Sequence, residues 1–203
     1  MNILFVCTGN TCRSPMAEAI MKAKWPKESV KSAGVFAGRG EPMASNSEVV
    51  LREKNLTLDH ETSQITEEML EWADLVLTMT DRHKQTLTLQ YPNYESKYYT
   101  LKEYVLVDDL KWQELKESYS TFEEKRSHIL REGMDKLSSR QMEEKLNREL
   151  EEDMRKIEEM ERSFPDINIS DPFGGNVNIY RETRDELEKH IELLVRKLEN
   201  KDN

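Results

Sequence analysis

The chain opens on the apolar run Asn2-Ile3-Leu4-Phe5-Val6, too short for a helix and of the length of a buried strand. Comparable segments follow at Ser29-Val30-Lys31-Ser32-Ala33-Gly34-Val35-Phe36, Ala73-Asp74-Leu75-Val76-Leu77-Thr78-Met79 and Lys97-Tyr98-Tyr99-Thr100-Leu101. Between them lie runs of good helix formers, at Pro15 to Lys24, Ala44 to Lys54, Thr66 to Trp72 and Asp81 to Gln90. Pro15 suits a first helical position, and Thr66 ahead of two glutamates is an N-cap signal. Strands alternating with helices predict βαβ units. The expected fold is therefore α/β, three-layered, with a four-stranded parallel sheet and helices on both faces. The spacing of Leu187, Ile191, Leu194 and Leu198 adds a closing amphipathic helix from Ile179 to Leu198.

The pattern changes after residue 108. Gly and Pro nearly vanish, roughly half of the residues from 109 to 162 are charged, and apolar positions recur at helical steps. Leu115, Tyr119, Phe122, Ile129 and Leu137 fall near one helical face; Met142, Leu146, Leu150, Met154, Ile157 and Phe164 fall near another. Ser138 and Gln141, between the two sets, have capping-box spacing. Two long antiparallel helices follow, their seams facing each other as in a short coiled coil. The expected plan is one α/β domain, 1–108 with 164–203, carrying an antiparallel helical hairpin inserted at 109–163. Such a hairpin is a candidate surface for a protein partner or for self-association.

Charge and cysteine count narrow the class. The 203 residues carry a formal net charge of −10, which argues against a general nucleic-acid binder while leaving room for a local basic pocket. The opening apolar run lacks the length and basic flank of a signal peptide, and no segment approaches the ~20 apolar residues of a membrane span. A soluble cytoplasmic protein is expected, without nucleic-acid or membrane partners. Cys7 and Cys12 are the two cysteines. A disulfide between them would staple almost nothing, and two thiols are too few for a structural zinc site.

Both cysteines lie in Cys7-Thr8-Gly9-Asn10-Thr11-Cys12-Arg13-Ser14-Pro15, which joins the first strand to the first helix. At such a junction first-turn N–H groups and the helix dipole favour an anion. Gly9 would permit a positive φ, turning successive amides inward as an anion nest. A Cys7 sulfur facing those amides and Arg13 would be a thiolate at neutral pH, and hence a nucleophile. Arg13 offers a planar fork for two phosphoryl oxygens, and Ser14 a hydrogen bond to the sulfur. Attack of Cys7 on phosphorus would give a phosphocysteine. The rival reading of Cys7 is a small buried hydrophobe at a strand end.

The stretch from Val6 to Ala19 resembles the phosphate loop of low-molecular-weight protein-tyrosine phosphatases, and within that family the bacterial protein arginine phosphatase branch. The resemblance extends over roughly 1–107 and 169–203; the arginine phosphatases it points to lack an insertion like 109–163. It implies that Thr8, Gly9, Asn10, Thr11, Cys12, Arg13 and Ser14 bind the phosphoryl group. It also implies that Ser32 and His60 brace the loop, His60 through Asn10, and that Cys12 can trap an oxidised Cys7 as a disulfide. No metal and no cofactor are implied. Ile167-Asn168-Ile169-Ser170-Asp171-Pro172-Phe173-Gly174-Gly175 is similar to the family's acid loop, with Asp171 as proton donor. The chemistry needs one, because the departing oxygen or nitrogen leaves poorly unless protonated. Proximity to a bound phosphoryl dianion would keep Asp171 protonated while Cys7 is ionised.

Two positions bear on the substrate, a phosphorylated protein. Thr11 stands where tyrosine-specific relatives tend to carry a bulky aliphatic residue, and Phe173 where they carry tyrosine. A planar polar guanidinium fits beside a hydroxyl and can stack on Phe173. Phosphoarginine is therefore expected, with phosphotyrosine as the alternative. Arsenate reductases share the loop but relay disulfides through distal cysteines, and none follows Cys12. A reading of another class makes the hairpin the functional part, a docking module on a vestigial phosphatase.

Overall fold

The four expected strands are present in the computed structural model, which describes residues 1–133 and 137–200. β1 (Asn2–Cys7), β2 (Ser29–Gly34), β3 (Leu75–Thr78) and β4 (Tyr98–Thr100) form one parallel sheet in the order β2-β1-β3-β4. The helices are α1 (Arg13–Lys24), α2 (Ser45–Arg52), α3 (Glu67–Trp72), α4 (Asp81–Gln90), α5 (Leu101–Leu106), α6 (Asp109–Gly133), α7 (Ser139–Ser163) and α8 (Val177–Glu199). Side chains alternate across a strand, and β1 shows the consequence. Ile3 and Phe5 enter the core shared with α1, α2 and α8. Leu4 and Val6 enter the opposite core, with Leu70 of α3 and Leu87 of α4. All four are fully buried, as expected for a central strand covered on both faces.

The register brings the carboxyl ends of three strands together: Cys7 pairs with Gly34, and Val6 with Thr78. β2 lies on one side of β1 and β3 on the other, so the strand order reverses beside β1. Ligands bind open α/β sheets at that switch point, outside the carboxyl ends. The loops after β1 and β3 meet there.

Strands β2 and β3 are shorter than expected, β2 ending at Gly34 rather than Phe36 and β3 spanning Leu75–Thr78 rather than Ala73–Met79, and one strand end changes type. Leu101 belongs not to a strand but to α5, which the apolar pattern did not suggest. The Thr100 hydroxyl accepts from the Glu103 N–H at 3.0 Å, and the Glu103 carboxylate accepts from the Thr100 N–H at 3.0 Å. This reciprocal pair starts the helix directly after β4.

The chain divides into two compact units, Met1–Val105 with the segment from Ile167 onward, and Leu106–Asp166. In the second, α6 and α7 have 25 residues each, about 37 Å of helix. They run antiparallel, since Trp112 meets Phe164 ring edge to face at 5.6 Å and Lys125 pairs with Asp153 at 2.8 Å. Ser138 and Gln141 form the capping box at the start of α7; residues 134–136, between the helices, lie outside the described ones. Leu115, Ile129, Leu150 and Ile157 are buried, but Tyr119 and Met154 are 42% and 46% exposed. Met154 therefore leaves the expected seam. The face runs from Leu150 to Ile157 past Asp153, which meets Lys125 of α6. No described helix is long and apolar enough to cross a membrane.

Candidate active site

Cys7 closes β1 and is 3% exposed. Among the described residues, none of the backbone N–H groups from Thr8 to Cys12 has an acceptor in the chain. From Gly9 to Cys12 these residues are buried or half-buried, where such donors are costly unless something else accepts from them, and an anion would accept from several at once. The left-handed residue of the loop is not Gly9 but Asn10, with φ 56°, a conformation that asparagine tolerates better than most residues.

Asn10 is held there from every side. Its side-chain oxygen accepts from the Ser63 N–H at 2.9 Å, its side-chain nitrogen donates to Ser14 at 3.0 Å and to Ser32 at 2.9 Å, and its carbonyl accepts from His60 Nε2 at 2.8 Å. His60 thus grips the Asn10 backbone, and Nε2 is its protonated nitrogen. Gly34, paired with Cys7, is required by close approach. A Cβ there would stand 2.6 Å from the Thr8 carbonyl and 2.9 Å from the Asn10 nitrogen.

The hydrogen bonds behind the loop have a direction. Glu18 is buried, accepts from Lys22 at 2.5 Å and accepts from the Ser32 hydroxyl at 2.6 Å. A carboxylate only accepts, so Ser32 spends its proton on Glu18 and takes one from Asn10. The Ser14 oxygen also accepts from Asn10. Its own proton is left for Cys7 Sγ at 3.0 Å or the Ala33 carbonyl at 3.3 Å.

Arg13, 5% exposed, begins α1. It donates through Nη2 to Asp171 Oδ2 at 2.8 Å and through Nη1 to the Ile169 carbonyl at 3.4 Å. Asp171 Oδ1 accepts from the Phe173 N–H at 3.2 Å. The turn continues through Gly174, whose φ of 76° a side chain would strain. Phe173 is 80% exposed. Cys7, Arg13, Asp171 and Phe173 line a cavity of about 200 Å³ together with Thr8, Gly9, Thr11 and Cys12. Cys12 is a buried free thiol, 3.3 Å from the Tyr180 hydroxyl and 3.5 Å from Thr11 Oγ1. The sequence-derived residues thus converge on one cavity, with Asn10, Ser14, Ser32 and His60 behind it rather than in its lining.

Three participants escaped the sequence reading. Glu18 lies in plain helical text on α1 and Tyr180 on α8, 168 residues beyond its sulfur partner; neither carries a local signal. The third is His83 on α4, whose ring joins Thr8 Oγ1 at 2.8 Å to Thr80 Oγ1 at 2.9 Å. Burial, and then the Arg13 guanidinium, push its pKa down to about 4, so it is a neutral imidazole on the flank of the loop. Its signal was the position of Thr80 and His83 just past β3, once β3 was placed beside β1.

Comparisons with known proteins agree with this fold. The family model for low molecular weight phosphotyrosine protein phosphatase matches residues 2–156; it runs into α7, beyond the expected 1–107, and ends before the Asp171 loop and α8, which the expected resemblance included. The protein-arginine-phosphatase of Bacillus subtilis (strain 168) is 36% identical over 202 residues, 98% of this chain and 97% of that protein. The structure of YwlE arginine phosphatase from Geobacillus stearothermophilus superposes with a TM-score of 0.68 at 34% identity, covering 98% of this chain and 94% of that one. A C7S mutant of YwlE arginine phosphatase with a phosphorylated active-site serine gives 0.67 at 34% identity, covering 98% and 96%. The chain belongs to the low molecular weight phosphotyrosine protein phosphatase family of cysteine-dependent enzymes.

Proposed function

We propose that this protein hydrolyses phosphoarginine on proteins through a phosphocysteine intermediate. The observation that carries the reading is the set of unpaired N–H groups from Thr8 to Cys12 around the Cys7 thiol, with the Arg13–Asp171 pair beside them. The full-length likeness to protein-arginine-phosphatases supports the choice of substrate.

In this mechanism the loop amides and Arg13 take the phosphoryl oxygens. The Arg13 fork is engaged with Asp171 at 2.8 Å, so an incoming dianion competes for it and frees the carboxyl group. Cys7 Sγ attacks phosphorus, the P–N bond breaks, and Asp171 gives its proton to the departing guanidine nitrogen. Asp171 then takes a proton from the water that attacks the phosphocysteine. The P–S bond breaks, and Ser14 donates to the returning thiolate. Thr11 borders the same cavity and offers the guanidinium a hydroxyl, with the exposed ring of Phe173 to stack on. The alternative substrate, phosphotyrosine, uses the same steps and is favoured by the description of the family itself.

Purified protein assayed on phosphoarginine and phosphotyrosine peptides, with Cys7→Ser as the blank, tests this. Strong preference for phosphoarginine is expected. Preference for phosphotyrosine would keep the mechanism and remove the role of Thr11; no Cys7-dependent turnover would remove both. Should peroxide convert Cys7 to a sulfenic acid, the Cys12 thiol can condense with it, releasing water and forming a disulfide. Two reduced thiols in the reactive loop suit a reducing compartment, which supports a cytoplasmic location. For the helical pair we keep the docking or self-association role as a second proposal, on the ground that it forms a compact unit of its own.

A further inference from the structure

A second cavity, of about 500 Å³, adjoins the first and shares Thr8, Arg13 and Asp171 with it. Val35 and Ile169 line it as apolar residues, and Phe36, Arg82 and His83 complete the wall that matters here. Its character is unlike that of the chain as a whole. The sequence carries a net charge of −10, yet this groove has two guanidinium groups against one carboxylate. Arg13 is committed to Asp171. Arg82 is exposed and, among the described residues, its side chain makes no ion pair or hydrogen bond. It also sits in the first turn of α4, where the helix dipole disfavours a cation. His83 adds no charge, since its pKa is pushed down to about 4. Phe36, in the same lining, is 64% exposed, a large apolar surface beside a polar site.

A phosphorylated residue in the smaller cavity brings its own chain neighbours with it. Extended backbone advances about 3.3–3.6 Å per residue, so residues one or two positions away reach the adjoining groove. We infer that this groove binds the substrate segment beside the phosphorylated residue and prefers an acidic side chain there. The carboxylate meets Arg82 and the aliphatic stem lies against Phe36 and Val35. The inference rests on the phosphatase reading above and names the kind of protein segment that the site accepts. A charge at the rim acts mainly on encounter and is screened by salt.

The test is a series of phosphoarginine peptides, repeated with phosphotyrosine, in which Glu, Ala or Lys occupies each of the two positions on either side of the phosphorylated residue. Wild type and Arg82→Glu are compared, with p-nitrophenyl phosphate as a substrate that cannot reach the groove. At one position Glu should raise kcat/KM about five- to tenfold over Lys, chiefly through KM, and the preference should shrink at high salt. Arg82→Glu should reverse the order and leave p-nitrophenyl phosphate turnover unchanged. Equal kcat/KM along the series, or an acidic preference that Arg82→Glu does not move, would overturn the groove alone. Absence of Cys7-dependent turnover of p-nitrophenyl phosphate would overturn the phosphatase reading, and the groove's role with it.

Discussion

At the scale of single residues, the site depends on where protons point. The Glu18–Ser32–Asn10–Ser14 chain occupies the acceptor side of Ser14 and leaves its proton for Cys7 Sγ or the Ala33 carbonyl, so the hydroxyl stands where it can donate to an attacking or departing sulfur. Ser14→Ala should therefore slow alkylation of Cys7 by iodoacetamide at pH 6–7 by several-fold. Glu18→Gln should act in the same direction more weakly, because Ser32 keeps a partner of changed polarity. An unchanged alkylation profile in both variants would remove the network from the account. Asp171→Asn should lower kcat about 10²–10⁴-fold, the span usual for a lost general acid or base; a substrate whose leaving group needs no proton should regain only the first step, seen as a burst, because hydrolysis of the phosphocysteine uses the same carboxylate. His83 makes a claim about stability. Its folded pKa, about 4, lies below the ordinary 6.5, so below pH 6.5 the unfolded chain binds a proton that the folded one does not. Stability is then lost as pH falls from about 6.5 to about 4, by on the order of 2 kcal/mol after screening. His83→Asn should flatten that part of the Tm–pH curve relative to wild type.

At the scale of elements, the sheet presents the loop, and legibility followed from how local each signal is. The strand–loop–helix around Cys7 could be read directly, because its strand is a continuous apolar run and Pro15 marks the first helical turn. The capping box at Ser138 and Gln141 was equally local. Thr100 and Glu103 have the same spacing, but the apolar run from Lys97 to Leu101 masks it by resembling a strand. Composition points to Gly9 as the left-handed residue, whereas its place at Asn10 is set by Ser63, Ser14, Ser32 and His60, contacts that exist only after folding. Gly34 is of that second kind too. Gly34→Ala would drive a methyl group into the Thr8 carbonyl and the Asn10 nitrogen, which are backbone and cannot swing aside. Turnover should fall more than tenfold, as displaced loop donors cost about that much or more, while far-UV circular dichroism stays unchanged. Normal turnover in this variant would show that the loop tolerates a shift.

At the scale of the whole molecule, the question is what α6 and α7 contribute to catalysis. Every residue placed at the phosphoryl site belongs to the unit formed by Met1–Val105 and the segment from Ile167 onward. That unit holds its own chain ends together where the helical pair departs: Lys102 Nζ donates to the Asn168 carbonyl at 2.6 Å and pairs with Glu186 of α8 at 2.5 Å. A short Gly/Ser linker can therefore replace Leu106–Asp166 without stretching the fold, and loop-closure entropy changes only slowly with loop length. The pair itself has few buried apolar side chains to lose, chiefly Leu115, Ile129, Leu150 and Ile157, all within the second unit. The shortened protein should keep kcat and KM for p-nitrophenyl phosphate within about twofold of the full chain, a difference of about 0.4 kcal/mol or less. If the helical pair serves docking, the loss should appear instead in the sedimentation behaviour or in capture of phosphorylated protein substrates. A collapse of p-nitrophenyl phosphate turnover in a folded deletion variant would mean that α6 and α7 support the catalytic loops directly, and that catalysis is not confined to the first unit.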